Sequence, residues 1–96
     1  MKSEEIRECF EKHTDEFLKF ERVKNKRSNR QDLHVFILLD ELFPSDKCII
    51  DSAEHDEIFV NLEDNQLEKL TEEQIIELIR CGARYDYFNN SLAMFI

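Results

Sequence analysis

The sequence predicts an α+β fold in which two N-terminal helices precede a ββαββ unit with a small, mainly antiparallel sheet. Apolar residues recur at helical spacing in the N-terminal part, and two pairs of β-branched and aromatic runs flank a third helical pattern. One Gly and one Pro among 96 residues indicate regular elements joined by short connections. We therefore expect one domain, residues 1–96, with the helices packed on one face of the sheet.

The first helix is expected to run from Ser3 to about residue 22. Ser3 provides a capping hydroxyl, and Glu4 and Glu5 place negative charge at the positive end of the helix dipole. Apolar or aromatic side chains then recur at alternating spacings of four and three, so they share one stripe of the helix. The residues of this stripe are Ile6, Phe10, His13, Phe17 and Phe20.

A second helix is predicted between a basic segment and Pro44. Ser28 and Gln31 match the S-x-x-Q capping box, in which each side chain accepts the other residue's backbone N–H. The apolar run from Val35 to Leu39 covers almost the whole circumference of this helix, which predicts a buried position. Pro44 ends the helix because its ring cannot continue the hydrogen-bond ladder.

The sheet is predicted from two hairpins separated by a third helix. The runs KCII and EIFVNL are typical of an antiparallel pair around DSAEHD, and ARYDYF and SLAMFI form a second hairpin across Asn89 and Asn90. Thr71 and Gln74 form a T-x-x-Q capping box that starts the intervening helix. Gly82, the only glycine, occupies a position where a helix can end in a left-handed conformation.

The polar stretch CIIDSAEHDEIFV, residues 48–60, combines Cys48 and His55 with four carboxylates and raises the question of a metal site. Zinc sites usually show paired ligands at fixed spacing, and an EF-hand loop requires a glycine at its sharp turn. Neither pattern is present, and strand alternation separates Cys48 from Asp51. The stretch therefore predicts a polar hairpin turn, with no metal and no cofactor.

Three cysteines, Cys9, Cys48 and Cys81, form no CxxC pair, and residues 2–5 read KSEE rather than a hydrophobic signal. These features predict a reducing, cytoplasmic location with free thiols. The end of a helix disfavours the Cys81 thiolate, and neither a GxSxG elbow nor a Gly-rich phosphate loop occurs. We expect a protein that is not an enzyme. Its longest apolar run, VFILL, is too short to cross a membrane.

Charge is distributed unevenly along the chain, whose net charge is −9. Residues 1–30 contain nine basic and seven acidic side chains, whereas residues 31–96 contain four and fifteen. Such an acidic surface repels nucleic acid and membrane phosphates, and it favours a basic partner or serves solubility alone. The candidate partner-binding acids are Glu63, Asp64, Glu68, Glu72, Glu73 and Glu77.

Tyr85 and Tyr87 are further candidates for contact with a partner. They alternate with Arg84 and Asp86, and this period of two is typical of a half-buried strand. The pattern does not decide whether the tyrosines lie on the exposed face or in the core. The leading hypothesis is a non-enzymatic module that binds a protein partner, in an oligomeric state that the sequence leaves open. Mimicry of nucleic acid by the acids is a second interpretation of the same surface.

The segment RVKNKRSNR supports an alternative from a different class, a nucleic-acid-binding regulator. Its basic residues are Arg22, Lys24, Lys26, Arg27 and Arg30. The segment is too long for a helix-turn-helix, contains no aromatic residue for base stacking, and precedes a strongly acidic chain. A solubilising loop, or one that pairs with the protein's own acids, is therefore the favoured interpretation, and nucleic acid is not the expected partner.

The C-terminal stretch LTEEQIIELIRCGARYDYFNNSLAMFI, with LIRCGARYD followed by SLAMF, resembles the ends of small, largely uncharacterised bacteriophage proteins. The resemblance covers the last quarter of the chain. It implies a viral context, in which many small acidic proteins bind and inhibit a host protein, for example in defence or transcription. It carries over no catalytic or binding residue.

Overall fold

The computed structural model describes residues 1–95, which form four α-helices and a four-stranded antiparallel sheet. The helices are α1 (Ser3–Lys12), α2 (Gln31–Leu42), α3 (Asp64–Leu67) and α4 (Glu72–Arg80), and two 3₁₀ turns cover Thr14–Glu16 and Phe20–Arg22. The strands are β1 (Ile50–Glu54), β2 (Glu57–Val60), β3 (Ala83–Asp86) and β4 (Ser91–Phe95), in the order β1-β2-β4-β3. The predicted α+β class and antiparallel sheet are confirmed, whereas α3 has no counterpart in the prediction. No helix of the described chain is long and apolar enough to cross a membrane.

The first helix is shorter than predicted. α1 ends at Lys12, and the segment expected to continue it forms the two 3₁₀ turns instead. The chain changes direction at Leu18, where φ is 62° and the backbone N–H donates to the carbonyl of Ile79 at 3.2 Å. Phe17 and Phe20 still pack against the core, so the apolar spacing predicted their burial but not the shape of the backbone.

Two of the three predicted helix starts are wrong in detail. Lys2 rather than Ser3 precedes α1, and the Ser3 hydroxyl instead donates to Glu68 at 3.3 Å. Ser28 lies before the cap of α2, which is Arg30, and its hydroxyl accepts the N–H of that residue at 3.0 Å. In both places the serine hydroxyl bonds to a polar group other than the backbone N–H that a helix cap would use, because the folded chain brings more than one such group within reach.

The start and end of α4 follow the prediction. The Thr71 hydroxyl accepts the N–H of Gln74 at 3.2 Å, and the Gln74 side chain accepts the N–H of Thr71 at 2.9 Å. Gly82 follows the helix with a φ of 95°, a conformation that L side chains rarely adopt. The side-chain amide of Gln31 donates to the carbonyl of Cys81 at 3.1 Å and so connects α2 to this terminus.

The first hairpin begins later than predicted. β1 starts at Ile50 rather than at Lys47, so it includes polar residues that were assigned to the turn. Only His55 and Asp56 separate β1 from β2. All five residues of β1 are exposed, so the strand is held by its backbone pairing with β2 rather than by burial of its side chains.

β4 is a central strand and joins the two hairpins into one sheet. Ile58 of β2 lies opposite Met94, and Tyr85 of β3 lies opposite Leu92. These four residues are buried and share one core with side chains of α1, α2 and α4. The opposite face of the sheet carries half-buried or exposed side chains, among them Glu57, Phe59, Arg84 and Phe95.

Glu16 connects the first 3₁₀ turn to α4. Its carboxylate accepts hydrogen bonds from Arg80 Nε at 2.7 Å and from Arg22 Nη1 at 2.9 Å. The hydrogen bond from Arg80 and the positive charges of both guanidinium groups hold the pKa of Glu16 below its usual range. The carboxylate is therefore more stable in the folded chain than in the unfolded chain.

We expect acid to weaken the fold through Glu16. Its contribution is fully present above the ordinary glutamate pKa of about 4.3 and is lost as the pH falls through the lower folded-state pKa. Urea denaturation from neutral pH down to about pH 3 measures this loss as a fall in the free energy of unfolding. The fall should be steeper for the wild type than for Glu16→Gln. Glu21→Gln, a change at a neighbouring exposed acid, should follow the wild-type profile.

Candidate partner-binding site

A groove lies between α1, the following 3₁₀ turn and the edge strand β3. It has a volume of about 400 Å³ and is lined mainly by aromatic and other apolar side chains. The aromatic residues that line it are Phe10, Phe17, Tyr85, Tyr87 and Phe95. β3 pairs with β4 on one side only, so no strand within residues 1–95 pairs with its outer edge. The groove thus combines an aromatic wall with an open strand edge.

The two candidate tyrosines differ in exposure. Tyr85 is 7% exposed and its ring centre lies 6.0 Å from that of Phe10, which places it at the margin of the core. Tyr87 is 55% exposed and donates its hydroxyl to Glu11 at 2.8 Å. Burial raises the pKa of Tyr85, and the hydrogen bond to Glu11 raises the pKa of Tyr87. Both hydroxyls are therefore protonated at neutral pH.

The two charged residues that line the groove differ in their electrostatic effect. Arg84 forms an ion pair with Glu57, and its guanidinium lies 4.5 Å from the centre of the Phe95 ring. Glu11 bonds to the neutral hydroxyl of Tyr87, which leaves its negative charge uncompensated by that contact. The groove is therefore apolar along its walls and has one carboxylate, Glu11, at its rim, where the positive charge of Arg7 also acts on the tyrosines. This combination suits a ligand that carries both apolar side chains and a positive group.

The six candidate acids lie on and around the two short helices α3 and α4, and five of them are exposed. They are distributed over α3, its flanking residues and α4: Glu63, Asp64, Glu68, Glu72, Glu73 and Glu77. Glu77 is half-buried, with Oε1 at 3.4 Å from Nε2 of the fully buried His34. Glu72 lies beside His13 at 3.1 Å. Glu72 is 52% exposed despite this contact, so Glu77 is the one acid of the six that is substantially covered.

The basic segment is partly paired with acids of the same chain. Arg22 binds Glu16, and Arg27 binds Glu41 at 2.9 Å. The ammonium group of Lys26 lies 4.7 Å above the ring of Phe20. Lys24 and Arg30 are exposed. The predicted pairing of this segment with the protein's own acids is therefore observed at two arginines, and fewer positive charges are available to phosphate.

The polar stretch 48–60 places no metal-ligand cluster in the hairpin. Cys48 and His55 are both exposed, and His55 lies in the turn with a φ of 54°. Within residues 1–95, potential ligands converge at another place, where one atom each of Cys9, His13 and Glu72 lies within 4.8 Å of the others. The sequence holds one signal of this group, because Cys9 and His13 are four residues apart and share a helix face.

All three cysteines are free thiols. Burial raises the pKa of Cys81 to about 12, and the negative charge of Glu77 acts in the same direction. This thiol is therefore protonated at neutral pH and is a poor nucleophile. Cys81 directly follows α4, so it lies at the helix end where the sequence analysis expects the thiolate to be disfavoured.

A comparison of the chain with protein-family models, curated proteins and solved structures found no match. The resemblance to bacteriophage proteins stays a prediction. Within residues 1–95, the groove beside β3 brings five aromatic rings to an open strand edge.

Proposed function

We propose that this protein is a small, acidic, non-enzymatic module that binds a protein partner through the groove beside β3. The observation that carries the proposal is an aromatic groove of about 400 Å³ that borders an open strand edge. The partner is an extended segment that pairs with the backbone of β3 and inserts apolar side chains between the aromatic rings. A positively charged residue of that segment contacts Glu11.

The two features of the groove have separate roles in this binding mode. Hydrogen bonds to an open strand edge supply affinity with little dependence on sequence, whereas pockets for alternate side chains supply specificity. Tyr87 is the expected anchor, because a half-exposed tyrosine can lose its remaining contact with water when a partner covers it. The net charge of −9 adds a long-range attraction for a basic partner.

The resemblance of the C-terminal segment to bacteriophage proteins extends the proposal to a host protein as the partner. In that setting the module modulates or inhibits the host protein, for example a component of defence or transcription. The free thiols and the acidic surface are compatible with the cytoplasm, which we propose as its location. Nucleic-acid binding through residues 22–30 has less support, since Arg22 and Arg27 are already paired with acids of the chain.

Filling the groove should abolish the interaction. Thr14 is exposed and lines the groove, so Thr14→Trp places a large ring in the groove without changing the core. Immobilised protein is exposed to nuclease-treated bacterial lysate, and the retained proteins are identified by mass spectrometry. We expect one dominant protein on the wild type and its loss from Thr14→Trp. Tyr87→Ala should weaken the same complex by about 2 kcal/mol or more, roughly 30-fold in Kd.

Leu33→Trp is the matched control, because Leu33 is 48% exposed and lies on α2 outside the groove. It introduces the same ring and should leave binding unchanged. A partner retained equally by Thr14→Trp and the wild type would show that the groove is not the binding site. A partner whose capture requires intact nucleic acid would instead favour the basic segment, and replacement of Lys24, Lys26, Arg27 and Arg30 by Gln should then abolish it.

A further inference from the structure

Three side chains with metal-binding chemistry meet between α1 and the start of α4. Cys9 lies in α1, His13 is the residue that follows the end of this helix, and Glu72 is the first residue of α4. Nε2 of His13 lies 3.1 Å from Oε2 of Glu72, and Sγ of Cys9 lies 4.0 Å from the same oxygen. All three ligand atoms are within 4.8 Å of one another.

A single carboxylate oxygen is the point of convergence. The thiol of Cys9, the imidazole of His13 and the ammonium of Lys12, at 3.4 Å, all approach Oε2 of Glu72. The hydrogen bond from His13, followed by the positive charge of Lys12, holds the pKa of Glu72 below its usual range. The carboxylate is therefore ionised at neutral pH, in the state in which it binds a cation.

We propose that Cys9, His13 and Glu72 bind one zinc ion. Thiolate sulfur, imidazole nitrogen and carboxylate oxygen are the three ligand types that zinc takes from proteins. Hard cations such as Mg²⁺ and Ca²⁺ prefer a shell of oxygen atoms, which a site with one carboxylate does not supply. The mixed ligand set thus selects zinc over the alkaline-earth ions. This site is separate from the groove and does not depend on the proposed protein partner.

The distances require only a small adjustment. Zinc bonds of about 2.0 to 2.3 Å at tetrahedral angles place neighbouring ligand atoms about 3.3 to 3.6 Å apart. The two distances to Glu72, 3.1 and 4.0 Å, bracket that range, and the ligand atoms of Cys9 and His13 lie within 4.8 Å of each other, so they must move closer together. Lys12, which is exposed over most of its side chain, can turn away into solvent when the ion takes its place.

Burial of the ligands gives the site one closed side and one open side. The side chain of His13 is 18% exposed and that of Glu72 is 52% exposed, while Cys9 is buried. An ion can therefore enter from the solvent side and reach the thiol from there. Three protein ligands leave a fourth tetrahedral position, which water fills on the exposed side. The ion would also connect α1 to α4, two helices joined here by side-chain contacts alone.

Binding exchanges a proton for the metal ion. Burial, aided by the charge of Glu72, raises the pKa of Cys9, so the thiol is protonated in the metal-free protein at neutral pH. On binding, the S–H bond of Cys9 breaks, the sulfur keeps the electron pair and forms the S–Zn bond, and the proton goes to the buffer. The neutral ring of His13 takes the tautomer with its proton on Nδ1, which frees the electron pair of Nε2 for the Zn–N bond. Because a proton must leave the thiol before the sulfur can bind the ion, zinc binding should release protons into a weakly buffered solution.

Cobalt(II) and zinc titrations of the full chain test the proposal. With cobalt, which takes the same tetrahedral ligands, we expect a thiolate-to-metal charge-transfer absorption that saturates at one ion per chain and disappears when zinc is added. The thermal midpoint should rise with zinc concentration, because the ion binds the folded state. Saturation without the thiolate absorption would overturn the proposal, and that result does not depend on the folding of any variant.

Variants identify the ligands. Cys9→Ser should remove the charge-transfer band, and His13→Gln and Glu72→Gln should each lower zinc affinity by at least about 10- to 100-fold. Cys48→Ser and His55→Gln change exposed residues outside the cluster and should leave the titration unchanged. Loss of the charge-transfer band in Cys48→Ser, or its retention in Cys9→Ser, would show that a thiol other than Cys9 binds the metal. Either result would refute the proposed site.

Discussion

Leu92→Ala is expected to lower the free energy of unfolding by about 2 to 5 kcal/mol, the range for truncating a buried leucine. Leu92 is fully buried in the central strand β4, opposite Tyr85. Truncation removes apolar surface and leaves a cavity between the sheet and the helices. Since β4 pairs on both sides, its backbone is held in place and the structure cannot collapse readily into the space.

Urea denaturation followed by circular dichroism measures this loss. The midpoint should fall at an unchanged slope, because the same surface is exposed on unfolding. Leu33→Ala provides the matched control, since the same atoms are removed from a side chain that is 48% exposed. Its effect should stay within about 0.5 kcal/mol, as for most surface changes. Equal losses for the two variants would show that β4 is not part of the core.

Gly82→Ala is expected to lower the free energy of unfolding by about 1 to 3 kcal/mol, the cost of holding a side chain in a sparsely populated backbone region. Gly82 has a φ of 95°, and an added Cβ would lie 3.0 Å from Leu18 Cδ2 and 3.3 Å from Gln31 Nε2. Leu18 is half-exposed and can move, so backbone strain is the larger part of the cost. The same crowding disturbs the hydrogen bond from Gln31 to Cys81.

Asn90→Gly is the informative comparison, because Asn90 also has a positive φ, of 51°. Glycine relieves the strain there, but it gains freedom in the unfolded chain and removes the oxygen that accepts the Tyr85 hydroxyl at 3.4 Å, so we expect a net loss of about 1 kcal/mol. Both variants are measured by urea denaturation. A Gly82→Ala protein as stable as the wild type would mean that the turn after α4 adopts an ordinary backbone conformation.

The elements that the sequence predicted well depend on local interactions. The capping box of Thr71 and Gln74 and the position of Gly82 involve neighbouring residues and backbone torsions, so a single sequence contains the information. The first helix was predicted too long because its end depends on contacts with residues distant in the chain. Phe17 has the spacing of a helical stripe, but Glu16 and Leu18 bond to Arg80 and Ile79 in α4, which turn the chain away from the helix axis.

In the candidate sites, too, residue type was predictable from the sequence, whereas contacts between distant residues were not. Sequence reasoning identified Tyr87 as a candidate and anticipated the internal pairing of the basic segment, because residue type alone suggests both. It missed the groove and the cluster at Glu72, each of which joins residues far apart in the chain. Strand alternation likewise did not predict whether Tyr85 is exposed, because the period of two shows which residues share a face but not which face is covered by the helices.

The α+β class, the antiparallel hairpins, the excess of acidic residues and the start and end of α4 were all predictable from the chain alone. These features depend on composition, on periodicity and on contacts between near neighbours. The end of the first helix, the exposure of each tyrosine and the side chains around Glu72 could be read only from the folded chain. Those outcomes depend on residues about sixty positions apart, such as His13 and Glu72, whose proximity exists only once the core has packed.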